Sequence, residues 1–135
     1  GYIYVLILCA GFGVILGHNF PFYLKFKGGK GIAATAGIMF SLDWRLTAVC
    51  LLAFVLIVAV TRYVSLGSLV VSAIFLCWNI YFGHLGAYGL APEARPQFYA
   101  VSAVIAAMAF WRHRANIVRL VQGRENKVGA KKKTE

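Results

Sequence analysis

The sequence predicts an all-α fold, a polytopic transmembrane helical bundle of about five spans with its C terminus in the cytoplasm. Three observations carry that expectation. Hydrophobic residues make up 61% of the 135 residues and charged residues only 13%, a balance a soluble core of this size does not need. The apolar residues lie in long, nearly uncharged runs, and the basic residues collect in alternate gaps between those runs.

The runs are Tyr2 to Gly17, Trp44 to Thr61 with a single Arg45, Tyr63 to Leu90, and Phe98 to Trp111. Each is near the roughly 20 residues a helix needs to cross about 30 Å of hydrocarbon. A fifth run, Gly31 to Leu42, would extend only about 18 Å as a helix and alone reads as a half-membrane or packed element. No basic region precedes the first run and apolar runs keep recurring, so multiple spans account for it better than a secretory signal. Gly1 already stands inside an apolar run, so a preceding portion is expected. Helices follow because backbone groups in lipid must be satisfied within their own segment, and no alternating barrel pattern occurs. Trp44, Tyr81, Tyr88 and Trp111 lie near span ends, where amphipathic rings favour the interface. Cys9, Cys50 and Cys77 are far apart, without metal or redox spacing, and are expected to be packing residues.

The net charge of +10 sets the orientation. Lys25, Lys27 and Lys30 follow the first run, Arg62 the third, and a basic stretch from Arg112 to Lys133 the last, so 12 of 14 basic residues occupy alternate loops. The intervening loops hold only Arg45 and Arg95, each near an acid. The positive-inside rule places the basic loops in the cytoplasm. Residues 1–122 then form the membrane domain and 123–135 a basic cytoplasmic tail drawn to anionic headgroups. His113 to Gln122 reads as a short amphipathic helix on the membrane surface, ended by Gly123 as a C-cap.

Three inner-side stretches can carry chemistry. In GHNFPFYLKFKGGKG, Gly17 to Gly31, the glycines Gly28, Gly29 and Gly31 surround Lys30 just before an apolar helix. Converging backbone amides, a helix N-terminus and lysine charge suit phosphate, although a basic turn obeying the positive-inside rule would look the same. Leu24 stands where a nucleotide-hydrolase loop needs its first glycine, and Gly31 replaces the Ser or Thr after its lysine, which excludes that loop. In TRYVSLGSL, Thr61 to Leu69, Ser65 and Ser68 can supply hydroxyls, or with Gly67 serve close helix packing. In HRANIVRLVQGREN, His113, Asn116 and Arg119 recur every third residue on one helix face, fit either to hold a phosphorylated ligand or to snorkel at an interface.

Together the strings GHNFPFYLKFKGGKG, TRYVSLGSL and HRANIVRLVQGRENK resemble, in order and spacing over nearly the whole chain, the cytoplasmic loops of the acyl-phosphate-dependent glycerol-3-phosphate acyltransferases. That resemblance implies a multi-pass enzyme of the bacterial plasma (inner) membrane that makes lysophosphatidic acid at the start of phospholipid synthesis. It makes Lys30, His113 and Asn116 the catalytic residues, with Lys30 a phosphate ligand. His18, Gly28, Gly29, Gly31, Ser65, Ser68, Arg119 and Glu125 become substrate-binding residues. The partners it implies are acyl phosphate, glycerol 3-phosphate, membrane lipids and an upstream acyl-phosphate-producing enzyme; no cofactor, metal or nucleic acid is expected. The family has a further Ser-, Gly-, Asn- and Arg-rich loop upstream, which this chain lacks along with about two spans, so the activity of these 135 residues alone is not expected to equal the family's.

The chemistry needs no protein nucleophile, because acyl phosphate is already activated. What remains is to neutralise two phosphates, place the hydroxyl against the acyl carbonyl and stabilise the oxyanion. The glycine loop holds no Asp or Glu, leaving His113 or, preferably, the substrate phosphate to take the proton. The other large class of glycerophosphate acyltransferases pairs a His with an Asp after four intervening residues, whereas here Tyr23, Gly89 and Val118 occupy that position after His18, His84 and His113. The competing reading is a non-enzymatic membrane protein that binds anionic lipid or conducts anions. The apolar character of the spans, broken only by scattered Ser, Thr and Asn79, disfavours a pore.

Overall fold

The computed structural model describes residues 1–20 and 32–129, and these are helical with no strand among them. Among the described residues six α-helices follow in chain order: α1 (Ile3–Asn19), α2 (Ile32–Leu42), α3 (Trp44–Thr61), α4 (Val64–His84), α5 (Arg95–Arg112) and α6 (Arg114–Val121), with a short 3₁₀ turn at Pro92–Ala94 before α5. Helix ends fall close to where the charges and turn residues predict. Asp43 is the only residue between α2 and α3, and its carboxylate accepts the Arg45 backbone N–H at 2.9 Å, capping α3. Arg62 closes α3 in the left-handed region at φ 61°.

The first five helices pack in a closed cycle, each against its chain neighbour, with α1 returning against α5. Phe75, Phe98, Leu8 and Leu46 are fully buried at its centre. Glycines permit two of these contacts. A Cβ on Gly11 would lie 2.4 Å from the Ile38 side chain of α2, and one on Gly67 would lie 2.9 Å from the Phe54 ring of α3, so in each pair a side chain of the neighbouring helix rests on the glycine backbone. Gly67 therefore serves packing, as one of the two readings of its stretch allowed, while Ser65 and Ser68 turn to a different neighbour.

On the outside the pattern inverts that of a soluble protein. Leu51, Leu52, Val55, Leu56 and Val60 of α3 are all exposed, a continuous apolar face that only hydrocarbon would cover without cost. α3 and α4, of 18 and 21 residues, are each long and apolar enough to cross a membrane. α1 has 17 residues and α2 only 11, about 16 Å of rise. Trp44, Tyr81 and Trp111 are exposed near helix ends, as interfacial rings should be. Tyr88 is not: it is buried, and its hydroxyl donates to Asn79 Oδ1 at 3.2 Å, while Asn79 Nδ2 donates to Ser102 at 3.2 Å. Only Cys50 is a packed cysteine; Cys9 and Cys77 are exposed.

Candidate functional site

At one end of the bundle, α4, the α5–α6 junction and the segment after α6 enclose a polar cavity of about 290 Å³. Val64, Ser65, Ser68, His113, Asn116, Arg119, Glu125 and Asn126 line it. Two stretches about 50 residues apart in the sequence, each ambiguous alone, thus meet at one place.

Local rules bring them there. His113 sits between α5 and α6, with Asn116 and Arg119 on the next turns of the same face. α6 ends in a Schellman motif: Gly123 adopts φ 68°, its N–H donates to Leu120 O at 3.2 Å, and the Arg124 N–H donates to Arg119 O at 2.8 Å. The reversal at Gly123 carries the chain back beneath α6 and delivers Glu125 into the cavity. A clamp then fixes the returning strand. The Val128 N–H donates to Arg62 O at 2.8 Å, and the Arg62 guanidinium donates through Nε at 2.8 Å and through Nη2 to Val128 O. Lys127 lies 5.6 Å from the Tyr63 ring centre. Contacts from Ser65, Asn116, Arg119, Arg62 and Tyr63 thus reach residues 125–128, beyond Gly123.

Glu125 is the hub. Its Oε2 accepts from Ser65 Oγ at 3.1 Å and Asn116 Nδ2 at 2.9 Å, and its Oε1 accepts from Arg119 Nε at 3.3 Å and the Asn126 N–H at 2.9 Å. Burial pushes its pKa upward, but the donors of Asn116, Asn126, Arg119 and Ser65 outweigh that and hold it below the ordinary glutamate value. Ser68 Oγ donates to Val64 O at 3.1 Å, and His113 Nδ1 lies 2.8 Å from Ala109 O. Ser65, Ser68, His113 and Asn116 are all buried, which singles them out from the exposed basic residues nearby.

The other expected site residues fare differently. His18 lies at the end of α1 with its side chain exposed, whereas its neighbour Asn19 is fully buried and, among the described residues, neither amide atom has a partner. Lys30, Gly28, Gly29 and Gly31 lie outside the described residues. Both oxygens of Glu125, expected to bind substrate, accept from the protein's own donors. The sequence offered no sign of the Arg62–Val128 clamp, since backbone carbonyls have no residue-type signature. No three His, Cys, Asp or Glu side chains among the described residues cluster closely enough to hold a metal.

The glycerol-3-phosphate acyltransferase family profile matches residues 1–123. The chain belongs to this family. The glycerol-3-phosphate acyltransferase of Paramagnetospirillum magneticum is 39% identical over 130 residues, covering 96% of this chain and 59% of that protein. The Bradyrhizobium diazoefficiens enzyme of the same name is 42% identical over 127 residues, covering 92% of this chain and 57% of that protein. The chain thus spans just over half the length of the curated relatives it matches. The fold is similar to crystal structures of PlsY (YgiH), an integral membrane glycerol 3-phosphate acyltransferase. Its glycerol 3-phosphate form has a TM-score of 0.74 at 31% identity, covering 90% of this chain and 56% of that one. Its lysophosphatidic acid form gives 0.74 at 33% identity, with 90% and 57% covered.

Proposed function

We propose that the protein of which this chain is part transfers an acyl group from acyl phosphate to glycerol 3-phosphate, giving lysophosphatidic acid and inorganic phosphate, the first step of phospholipid synthesis. The observation that carries this reading is the cavity joining Ser65 and Ser68 to His113, Asn116 and Arg119, built from two of the three stretches on which the family resemblance rests. In the reaction the glycerol hydroxyl oxygen bonds to the acyl carbon, the acyl–phosphate C–O bond breaks, and phosphate leaves with the bonding pair. The hydroxyl proton passes to phosphate, so no protein group need change charge over a turnover. Lys30 and the surrounding glycines are assigned to phosphate, His113 and Asn116 to the glycerol moiety. With glycerol 3-phosphate as acyl acceptor, the purified full-length protein should acylate from acyl phosphate and not from acyl coenzyme A; equal rates from both donors would count against the reading.

The chain would cross the bacterial plasma membrane five times, with α2 as the short crossing and the cavity end in the cytoplasm. Its supply of acyl phosphate would come from an acyl-phosphate-producing enzyme upstream. Single cysteines introduced at Lys27 and Lys132, after replacement of Cys9, Cys50 and Cys77, should resist an impermeant thiol reagent in intact cells, while one at Glu93 should react. Labelling of the Lys27 position from outside would overturn the cytoplasmic assignment.

A further inference from the structure

Among the described residues Arg62 is the only non-glycine residue with a positive φ, at 61°. A left-handed backbone carries a steric cost for any residue with a Cβ, and such outliers persist where their surroundings hold them and cluster at functional sites. Here the surroundings are the segment that returns after α6. The Arg62 guanidinium donates to Val128 O, through Nε at 2.8 Å and through Nη2, while Arg62 O accepts the Val128 N–H at 2.8 Å. Gly129 closes the clamp: it adopts φ 77°, and a Cβ there would lie 2.7 Å from Arg62 Nη2.

The clamp is the first of three contacts between the α3–α4 junction and the returning segment. Arg62 meets Val128, Lys127 lies 5.6 Å from the Tyr63 ring centre, and the Ser65 hydroxyl donates to Glu125 at 3.1 Å. Each step forward along the junction is matched by an equal step back along the segment, so the two run antiparallel in register. Residues 124–127 have no regular secondary structure of their own, and the entropy of ordering them opposes the placing of Glu125. Glu125 and Asn126 line the cavity, and the donors to Glu125 from Ser65, Asn116, Arg119 and Asn126 all belong to cavity-lining residues. A ligand that draws on those donors therefore loosens Glu125. The clamp uses none of them, and neither Arg62 nor Val128 lines the cavity. We infer that Arg62 is a positioning residue for substrate binding: by gripping Val128 outside the cavity, it keeps Glu125 and Asn126 in place as the cavity wall while a ligand competes for the donors around them. This rests on the proposed function for the identity of that ligand, glycerol 3-phosphate.

The test is glycerol 3-phosphate binding to the purified full-length protein in nanodiscs, measured by calorimetry, together with hydrogen exchange of residues 124–129 and the thermal midpoint. Arg62→Gly is the informative variant, because glycine adopts a positive φ freely while the guanidinium is lost. Relief of the backbone strain offsets the lost bonds to Val128, so the midpoint should stay within about 3 °C of the unmodified protein's. Affinity should nevertheless fall by about tenfold, with faster exchange at Asn126 and Val128. A merely structural clamp would lower midpoint and affinity together. Gly129→Ala, which keeps the arginine but crowds it, should weaken binding by a similar factor and carries the test if Arg62→Gly does not fold. Arg124→Ala removes a positive charge from the same segment, but that guanidinium bonds to Gln122, so affinity should change by less than about threefold. Unchanged affinity in either clamp variant, a loss in Arg62→Gly that comes with a larger midpoint drop or with unchanged exchange, or an equal loss in Arg124→Ala overturns the inference. Absence of acyl transfer in an unmodified protein that binds glycerol 3-phosphate would sink the proposed function alone; absence of that binding would sink both.

Discussion

Lys30→Ala in the full-length protein should lower turnover by about a hundredfold or more, while Lys25→Ala should change it by less than about fivefold. Both substitutions remove one positive charge from the same loop, so a loop serving only topology would respond equally to each. A lysine that contacts phosphate at a partly desolvated site makes a charge-assisted hydrogen bond worth about 2–3 kcal/mol, and a factor of ten in rate corresponds to about 1.4 kcal/mol. An exposed charge is worth about 1 kcal/mol or less. Lys30→Arg should also be poor, because a forked guanidinium does not replace a compact ammonium among three glycines. Turnover of the three variants at matched expression decides it; near-normal Lys30→Ala would reduce the loop to a helix connector.

Much of the helical framework was legible because two simple signals coincide. Apolar runs gave the helices, and basic residues or Asp43 marked their ends: α3 coincides with its run, and α4 begins one residue after its run does but stops at His84, short of Leu90. Side-chain direction was harder. An aromatic ring near a span end looks the same in sequence whether it faces the headgroups, as Trp44 does, or turns inward to a buried amide, as Tyr88 does. The site was legible in part for a related reason. The spacing of His113, Asn116 and Arg119 puts them on one face, and Gly123 marks the reversal after them, both local facts. What they face is not local: the meeting of Ser65 with Glu125 joins residues 60 apart, and an acid in a basic tail gives no hint that it is the buried centre. Gly67 and Ser65 stand two apart in one stretch, yet one serves helix packing and the other the cavity, a division that depends on which face meets α3.

Glu125→Ala should be the most damaging single change to the cavity end of the bundle, costing about 2 kcal/mol or more. The side chain is 4% exposed, and removing it takes an acceptor from the buried Ser65 hydroxyl and Asn116 amide and from the Asn126 N–H. A buried donor that loses its acceptor costs about 1–3 kcal/mol, whereas Arg119, whose side chain is 35% exposed, keeps access to water and adds little. The same hub gives a pH dependence of definite sign. A carboxylate held below its ordinary value in the folded protein contributes stability that is fully present above the unfolded glutamate value and is lost as pH falls through the lowered folded value. The α6 region of the unmodified protein should therefore loosen only on the acid side of the ordinary glutamate range. Glu125→Gln, which cannot titrate, should abolish that acid transition while keeping much of the packing that Glu125→Ala loses. Hydrogen exchange of the 113–129 segment, followed from neutral to acid pH in all three proteins, measures both effects. Protection in Glu125→Ala equal to the unmodified protein's at neutral pH would remove Glu125 from its central place.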